Sequence, residues 1–189
     1  MDEGNLEIIK NYLSQVGATL GELPLDKIAQ VVEVLGEARE KGNRIFIFGN
    51  GGSAATASHF ASDLAKGAIC KGKPRFKAFA LTDNVPLLSA WANDTDYGNV
   101  FSEQLENFVE PGDVAIAISG SGNSPNVLNG AKAAKAKGAT TIGFIGFDGG
   151  RLKDLVDIAI IVPSYNMEQV EDTHLLLGHI ITTCLRKGT

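Results

Sequence analysis

Two glycine- and serine-rich segments and a small set of histidines and carboxylates are the residues of this chain that could do chemistry. The segments are GNGGSA (residues 49–54) and SGSGNS (residues 119–124), and each directly follows an apolar run. Serine hydroxyls and free backbone N–H groups at a helix start can hold a phosphate. Imidazole and carboxylate groups can bind a divalent metal or exchange protons with a substrate. The candidates of this kind are His59, Asp63, Glu171 and His179.

The first segment, read alone, matches the G-x-G-x-x-A pattern of dinucleotide-binding folds. Those folds place an acidic residue about 20 residues after the loop, whereas the next predicted strand here ends near Asp83, about 30 residues on. Two similar loops at the carboxyl edge of one sheet favour a phosphate-bearing small molecule instead. The alternative is that Ser53 and Ser124 serve only as helix N-caps.

The histidines and carboxylates fall on two predicted helices. His59 and Asp63 are four residues apart and therefore share one helix face, where they could bind a metal or simply hydrogen bond each other. Glu171 and His179 differ by about 12 Å of rise and roughly 80° of rotation. They can reach one metal only if long side chains converge or different subunits contribute. His174 points elsewhere on the same helix, which predicts a structural role.

The elements that position these residues alternate between short buried strands and helices. The predicted helices cover residues 5–19, 25–41, 54–66, 85–92, 125–137 and 167–186, and the predicted strands cover residues 44–48, 76–81, 113–118, 140–145 and 158–162. This alternation predicts an α/β fold with a five-stranded parallel sheet covered on both faces. Residues 1–189 are predicted to form one domain, with the N-terminal helices (about 2–41) packing on it or on a partner chain.

Composition excludes several classes of function. The formal net charge is −5 and no lysine or arginine run stands out, so nucleic acid is not an expected partner. The N-terminal residues lack the layout of a signal peptide, and no apolar run reaches transmembrane length. Cys70 and Cys184 are isolated and lack metal-ligand spacing, which predicts reduced thiols in a cytoplasmic protein.

Most of the chain resembles the sugar isomerase (SIS) domain, and within it the phosphoheptose isomerase family. The segments that carry the resemblance are GNGGSAATASHF, WANDTDYGNVFSEQL, SGSGNSPNV, GFDGG and VEDTHLLLGHI. The resemblance implies a three-layer, flavodoxin-like SIS fold and a homotetramer with active sites at subunit interfaces. The implied substrate-binding residues are Asn50, Gly51, Gly52, Ser53, Asp63, Asn93, Asp94, Ser119, Gly120, Ser121, Ser124 and Glu171. The implied ligands of one zinc ion per subunit are His59, Asp63, Glu171 and His179.

This chain departs from the usual family pattern at three places. Asp63 stands where the family usually has Glu, and Glu171 where it usually has Gln. The segment at residues 119–124 begins with Ser119-Gly120-Ser121 where the family usually has Ser-Thr-Ser, so one hydroxyl is lost. These departures leave open an isomerase or epimerase of a different sugar phosphate.

The resemblance implies conversion of sedoheptulose 7-phosphate to D-glycero-D-manno-heptose 7-phosphate in carbohydrate metabolism. Such an isomerisation needs a base, an acid and stabilisation of an enediolate. We expect Asp63 to act as the base with His179 as its partner, and His59 and Glu171 to be further zinc ligands. The alternative of another class is a non-catalytic SIS module that binds a sugar phosphate or bridges proteins. A pure binder does not need this set of ionisable groups.

Overall fold

The computed structural model describes residues 3–187, in which helices and strands alternate much as the sequence predicts. The helices are α1 (Glu3–Gly21), α2 (Leu25–Lys41), α3 (Gly52–Ser62), α4 (Val85–Asp94), α5 (Ser102–Phe108), α6 (Pro125–Ala136) and α7 (Met167–Lys187). The strands are β1 (Arg44–Gly49), β2 (Lys77–Ala80), β3 (Val114–Ser119), β4 (Thr140–Ile145) and β5 (Ile158–Ile161).

The five strands form one parallel sheet in the order β2-β1-β3-β4-β5. The chain goes from β1 to β2 on one side and then returns to place β3 on the other side of β1. Strands β1 and β3 are therefore neighbours, with Gly49 opposite Ile118. Parallel sheets bind ligands beyond the carboxyl ends of strands at such a reversal. The two glycine-serine segments follow these two strands and meet there.

The two faces of the sheet carry separate hydrophobic cores, which produce the three predicted layers. In β1, Ile45 and Ile47 join the core that includes side chains of α2, α3 and α7. Phe46 and Phe48 join the other core, with side chains of α5 and α6. Because side chains alternate between faces along a strand, one fully apolar run serves both cores.

Helix α1 adds little to either core. Thr19 is its one buried residue within the described range. It exposes an apolar stripe of Leu6 (39% exposed), Ile9 (56%) and Leu13 (65%). Its Tyr12 hydroxyl donates to Asp172 of α7 (2.6 Å). Neither α1 nor any other helix of residues 3–187 combines the length and apolar character that a membrane span requires.

Two local features differ from the sequence prediction. The helix predicted to reach Lys66 is α-helical only to Ser62, because residues 63–67 form a π-turn in which the Ala68 N–H donates to the Asp63 carbonyl (2.8 Å). The sequence also did not predict α5 or the short 3-10 turn Tyr97–Asn99 before it. Seven residues are too few for a helical period to be recognised in α5.

Candidate active site

The loop between β1 and α3 brings the first turn of that helix close to the neighbouring strand. A Cβ atom on Gly49 would lie 2.7 Å from both the Ile118 carbonyl oxygen and the Ser53 Cβ. Gly51 has a φ of +53°, a backbone conformation that favours glycine. The two glycines therefore allow Ser53 to sit buried beside the end of β3, with its residue 6% exposed.

The loop between β3 and α6 is organised by its own serine hydroxyls. The Ser119 Oγ accepts a hydrogen bond from the Gly122 N–H (3.2 Å) and donates to the Ser124 Oγ (3.5 Å). The Ser121 Oγ accepts from the Asn123 N–H (3.2 Å). The loop thus holds three hydroxyl groups at the N-terminus of α6.

The hydroxyls of Ser53 and Ser124 do not serve as helix caps. The N-cap of α3 is Gly51, and Ser53 lies within the first turn. Ser124 occupies the N-cap position of α6, but over residues 3–187 its hydroxyl receives no capping hydrogen bond from that helix. The N-cap alternative is therefore wrong for Ser53, whereas Ser124 is an N-cap residue by position but, within the described chain, makes no capping hydrogen bond with its hydroxyl.

Both loops open into a small cavity of about 140 Å³, which we call the serine cavity. Its lining residues are Asn50, Ser53, Ile118, Ser119, Gly120, Ser121, Ser124, Met167 and Glu171. The Met167 sulfur lies directly over Gly120. Hydroxyl groups and the positive ends of two helices are suited to hold a phosphate at this place.

A second cluster lies further along α3, where His59 and Asp63 meet His179 of α7. The two Nε2 atoms are 3.0 Å apart, and the Asp63 Oδ2 is 3.4 Å from His59 Nε2 and 3.5 Å from His179 Nε2. Their ligand atoms lie within 4.8 Å of one another, as a metal site requires. We call this cluster the His–Asp triad.

The triad depends on close packing of α3 against α7. A Cβ atom on Gly178 would lie 3.3 Å from the Phe60 ring, so the absence of a side chain at Gly178 lets that ring approach. Phe60 is 1% exposed. Since His59 precedes Phe60 and His179 follows Gly178, this contact brings the two imidazoles together. The π-turn begins at Asp63, and π-turns inside helices are frequent at functional sites.

The residues of the triad fit a metal with an open coordination position. Two imidazole nitrogens and one carboxylate oxygen are a common ligand set for catalytic zinc. Ligand atoms around a tetrahedral zinc lie about 3.3 Å apart, given bonds of about 2.0–2.1 Å. The three observed separations of 3.0, 3.4 and 3.5 Å are close to that value.

Glu171 lies apart from the triad, two turns earlier on α7. Its carboxylate oxygens are 2.5 and 2.6 Å from the position that a Cβ on Gly52 would take. The carboxylate therefore covers the N-terminus of α3 and lines the serine cavity. Helix α7 thus supplies Glu171 to the cavity and His179 to the triad. The role of Glu171 as a metal ligand stays a prediction.

Two predicted site residues, Asn93 and Asp94, lie at the exposed end of α4. The Asn93 Nδ2 donates to the Asp94 Oδ1 (2.8 Å). Neither residue is part of the lining of the serine cavity within the described chain. Their segment reaches the site through Tyr97, whose hydroxyl donates to the Asn50 Oδ1 (3.2 Å). Their role in substrate binding stays a prediction.

The third histidine, His174, is buried in the core. It is 1% exposed and packs near Phe144, with 6.2 Å between ring centroids. Burial disfavours the charged imidazolium and lowers the pKa of His174 to about 4. His174 is therefore neutral at physiological pH and lies outside the triad, in agreement with the structural role expected for it.

Asn126 is a site residue that sequence reasoning missed. Its side-chain amide bonds reciprocally with that of Asn50, across the gap between the two loops. Its position directly after Pro125 at the start of α6 was a signal, because that helix begins just after the second glycine-serine segment. Its partner could not be predicted, since the two residues are far apart in the chain.

Comparison with known proteins agrees with this fold and site. The SIS domain model matches residues 9–146, and the chain is a member of the SIS domain family. The phosphoheptose isomerase of Aquifex aeolicus is 40% identical over 89% of this chain and 87% of its own length. The solved phosphoheptose isomerase of Neisseria gonorrhoeae superposes with a TM-score of 0.88 at 29% identity, covering 96% of this chain and 98% of that one. The phosphoheptose isomerase of Francisella tularensis superposes with a TM-score of 0.89 at 28% identity, covering 97% of this chain and 98% of that one.

The chain belongs to the phosphoheptose isomerase family. This confirms the predicted family, the predicted α/β fold and the assignment of the protein as an isomerase. A sugar phosphate is accordingly its class of substrate. The triad His59, Asp63 and His179 could hold a metal ion.

Proposed function

We propose that this protein interconverts D-sedoheptulose 7-phosphate and D-glycero-D-manno-heptose 7-phosphate as a single SIS domain. The observation that carries the proposal is that one helix, α3, connects both parts of the site. Its first turn lines the serine cavity with Ser53, a later turn carries His59, and Asp63 follows it directly as the first residue of the π-turn. Ser53 and His59 are separated by about 9 Å of helical rise. A seven-carbon sugar with its phosphate on C7 has its reacting carbons, C1 and C2, at the far end.

The serine cavity is the proposed seat of the phosphate. Its donors are the hydroxyls of Ser53, Ser119, Ser121 and Ser124, together with the N-terminus of α6. Asn50, Gly51, Gly52, Gly120 and Glu171 complete the surroundings of the sugar, and Asn93 and Asp94 are proposed to contact it as well. Binding the phosphate away from the reacting carbons supplies orientation.

The His–Asp triad is the proposed centre of proton transfer. Asp63 removes a proton from C1 of the ketose, the electrons move to form the enediolate, and the proton is returned at C2 to give the aldose. His179 lies 3.5 Å from Asp63 and exchanges the proton that moves between the two oxygens on C1 and C2.

We further propose one zinc ion per subunit, held by His59, Asp63 and His179, with Glu171 as a further ligand. Zinc would polarise the carbonyl and hydroxyl oxygens of the substrate. The ligand chemistry and separations of the triad support this choice of metal. Elemental analysis tests it, followed by turnover measured before and after chelation. Full turnover in rigorously metal-free protein would remove zinc from the proposal and leave the isomerase activity standing.

A homotetramer is the proposed assembly and the cytoplasm the proposed location. The apolar stripe Leu6, Ile9 and Leu13 on α1 supports association, because extended apolar surfaces usually mark protein contacts. The unpaired thiols of Cys70 and Cys184 are consistent with a reducing compartment. Light scattering at micromolar concentration tests the assembly, and a mass of a single chain alone would contradict it.

The reaction itself is tested by NMR in deuterated water. The purified, zinc-loaded protein is incubated with sedoheptulose 7-phosphate, and loss of the C1 proton signal is followed. We expect exchange at C1 together with appearance of the aldose. Other ketose phosphates in parallel samples test the substrate. Exchange only with another sugar phosphate would identify that compound as the substrate instead. The absence of exchange with any of them would favour a non-catalytic binding module.

A further inference from the structure

The two loops of the site are joined by a reciprocal pair of amide hydrogen bonds. The Asn50 Nδ2 donates to the Asn126 Oδ1 (2.9 Å), and the Asn126 Nδ2 donates to the Asn50 Oδ1 (2.8 Å). Asn50 belongs to the loop between β1 and α3, and Asn126 to the first turn of α6. Asn126 is 2% exposed. The pair is therefore a partly buried cross-link between segments that lie 76 residues apart.

The carbonyl oxygens of this pair have no capacity left for a ligand. The Asn50 Oδ1 also accepts a hydrogen bond from the Tyr97 hydroxyl (3.2 Å), and the Asn126 Oδ1 accepts one from the Val127 N–H (3.0 Å). An amide oxygen has two lone pairs, so both oxygens are satisfied. The oxygens of the two side chains thus hold three segments together, while the second N–H of the Asn50 amide remains available to the sugar.

The Asn50–Asn126 pair sets the distance between the two loops, and the proposed reaction depends on this distance. Three of the four hydroxyls of the proposed phosphate seat, those of Ser119, Ser121 and Ser124, lie in the loop before α6, whereas the reacting carbons must lie near His59 of the triad. A shift of one loop against the other would leave the phosphate bound to these three hydroxyls and move the sugar relative to the triad. A misplacement of about 1 Å can lower a rate by about 10²-fold.

We propose that Asn126 is a positioning residue for the isomerisation, which fixes the serine loop relative to the start of α3 through Asn50. This proposal rests on the proposed function, because it takes the serine cavity as the phosphate seat. It predicts a separation between two measurable quantities. Catalysis should depend on Asn126, and binding of a bare phosphate should not.

The test compares Asn126→Ala with the matched control Asn129→Ala. Asn129 lies one turn further along α6, and its amide donates to the Gly98 carbonyl (3.0 Å) away from the cavity lining. Both variants lose an amide donor without a change of charge. We expect Asn126→Ala to lower kcat by about 10²-fold and to change the Kd for inorganic phosphate by only a few-fold. Asn129→Ala leaves the Asn50–Asn126 pair intact and should lower kcat much less than Asn126→Ala does.

Hydrogen exchange without ligand provides a readout that does not depend on activity. We expect the backbone amides of residues 50–55 to exchange about tenfold faster in Asn126→Ala, and at the unchanged rate in Asn129→Ala. If the unmutated protein fails to isomerise any sugar phosphate, the proposed function is wrong, and the exchange result alone decides whether the loops are coupled.

Three outcomes would overturn the proposal. The first is equal kcat in the two variants, and the second is equal exchange at residues 50–55. The third is a loss of phosphate affinity in Asn126→Ala as large as the loss of kcat. If Asn126→Ala does not fold, Asn50→Ala breaks the same pair from its less buried side and is measured in the same way. The double variant should then be no worse than the stronger single variant, as expected for one shared interaction.

Discussion

The serine cavity and the His–Asp triad lie along the same helix, but they are built by different means. Each cavity loop is a short continuous segment that follows a strand, and its hydroxyls are positioned mostly by neighbours such as Gly122 and Asn123. In the triad, His59 and His179 are 120 residues apart and meet only because α3 packs on α7. Local chemistry therefore supports the proposed phosphate binding, whereas long-range packing supports the proposed proton transfer. Changes to each region should have separable effects.

The largest separable effect is expected from Asp63→Asn. The proposed base is lost while the serine cavity is unchanged, so turnover should fall by about 10²–10⁴-fold. The affinity for the sugar phosphate should stay within a few-fold. Steady-state kinetics and calorimetric binding measure the two quantities, and metal content is measured in parallel because a lost ligand would mimic a lost base.

A suitable control for this variant is Asp83→Asn. Asp83 accepts a hydrogen bond from Ser58 on α3 but lies outside the triad. We expect it to retain most of the turnover. Full turnover of metal-loaded Asp63→Asn would show that proton transfer belongs to another residue.

Lowering the pH should reduce the free energy of unfolding through His174, which lies in the core and outside the triad. Burial lowers the pKa of His174 from 6.5 to about 4, so the unfolded chain takes up this proton first as the pH falls. Stability from the neutral buried imidazole is complete above about pH 6.5 and falls through that window, by on the order of 3 kcal/mol near pH 4. Chemical denaturation of the protein at several pH values should show this slope.

The variant His174→Leu keeps an apolar side chain of similar size at the buried position and removes the titration. Its unfolding free energy should depend less on pH between 6.5 and 4 than that of the unmutated protein. His179→Gln on the same helix serves as the control and should keep the slope. An identical slope in His174→Leu would mean that other groups cause the acid sensitivity.

Changes in the serine cavity should have the opposite signature to Asp63→Asn. Ser119→Ala and Ser121→Ala each remove a proposed hydrogen bond to a charged phosphate, so binding should weaken by about 1.5–3 kcal/mol. Turnover at saturating substrate should change much less. Ser89→Ala offers a control, since its hydroxyl donates to the Pro86 carbonyl on exposed α4. Unchanged affinity in both cavity variants would contradict the assignment of the phosphate seat.

The smallest effect on stability, but a specific one, is expected from Gly178→Val. The added side chain would press on Phe60 and move α7 away from α3, at a cost of about 1–3 kcal/mol. Metal affinity should fall because His59 and His179 separate, while the affinity for inorganic phosphate should stay unchanged. Thermal unfolding and metal titration measure both effects. Gly36→Ala is the control, because a Cβ there would lie 3.9 Å from its nearest neighbour.

Much of the fold could be predicted because its signals are local. The apolar runs at Arg44–Phe48 and Thr140–Ile145 gave strands that the structure reproduces within one residue. Helix α5 was missed because its seven residues are too few for a helical period to be recognised. The π-turn at Asp63 was missed because it depends on how α3 meets α7. The two loops of the serine cavity were recognised, since strand, glycine and serine follow one another directly.

The sequence by itself determined the alternation of strands and helices, the glycine-serine loops and the common helix face of His59 and Asp63. These properties follow from backbone sterics and side-chain periodicity over a few residues. Only the tertiary structure decided that His179 completes the triad, that Glu171 lies instead over Gly52, and that Asn126 bonds Asn50. The physical reason is that such contacts depend on how helices pack across the sheet. A shift of one residue along α7 would rotate a side chain by about 100° around that helix and change its partner.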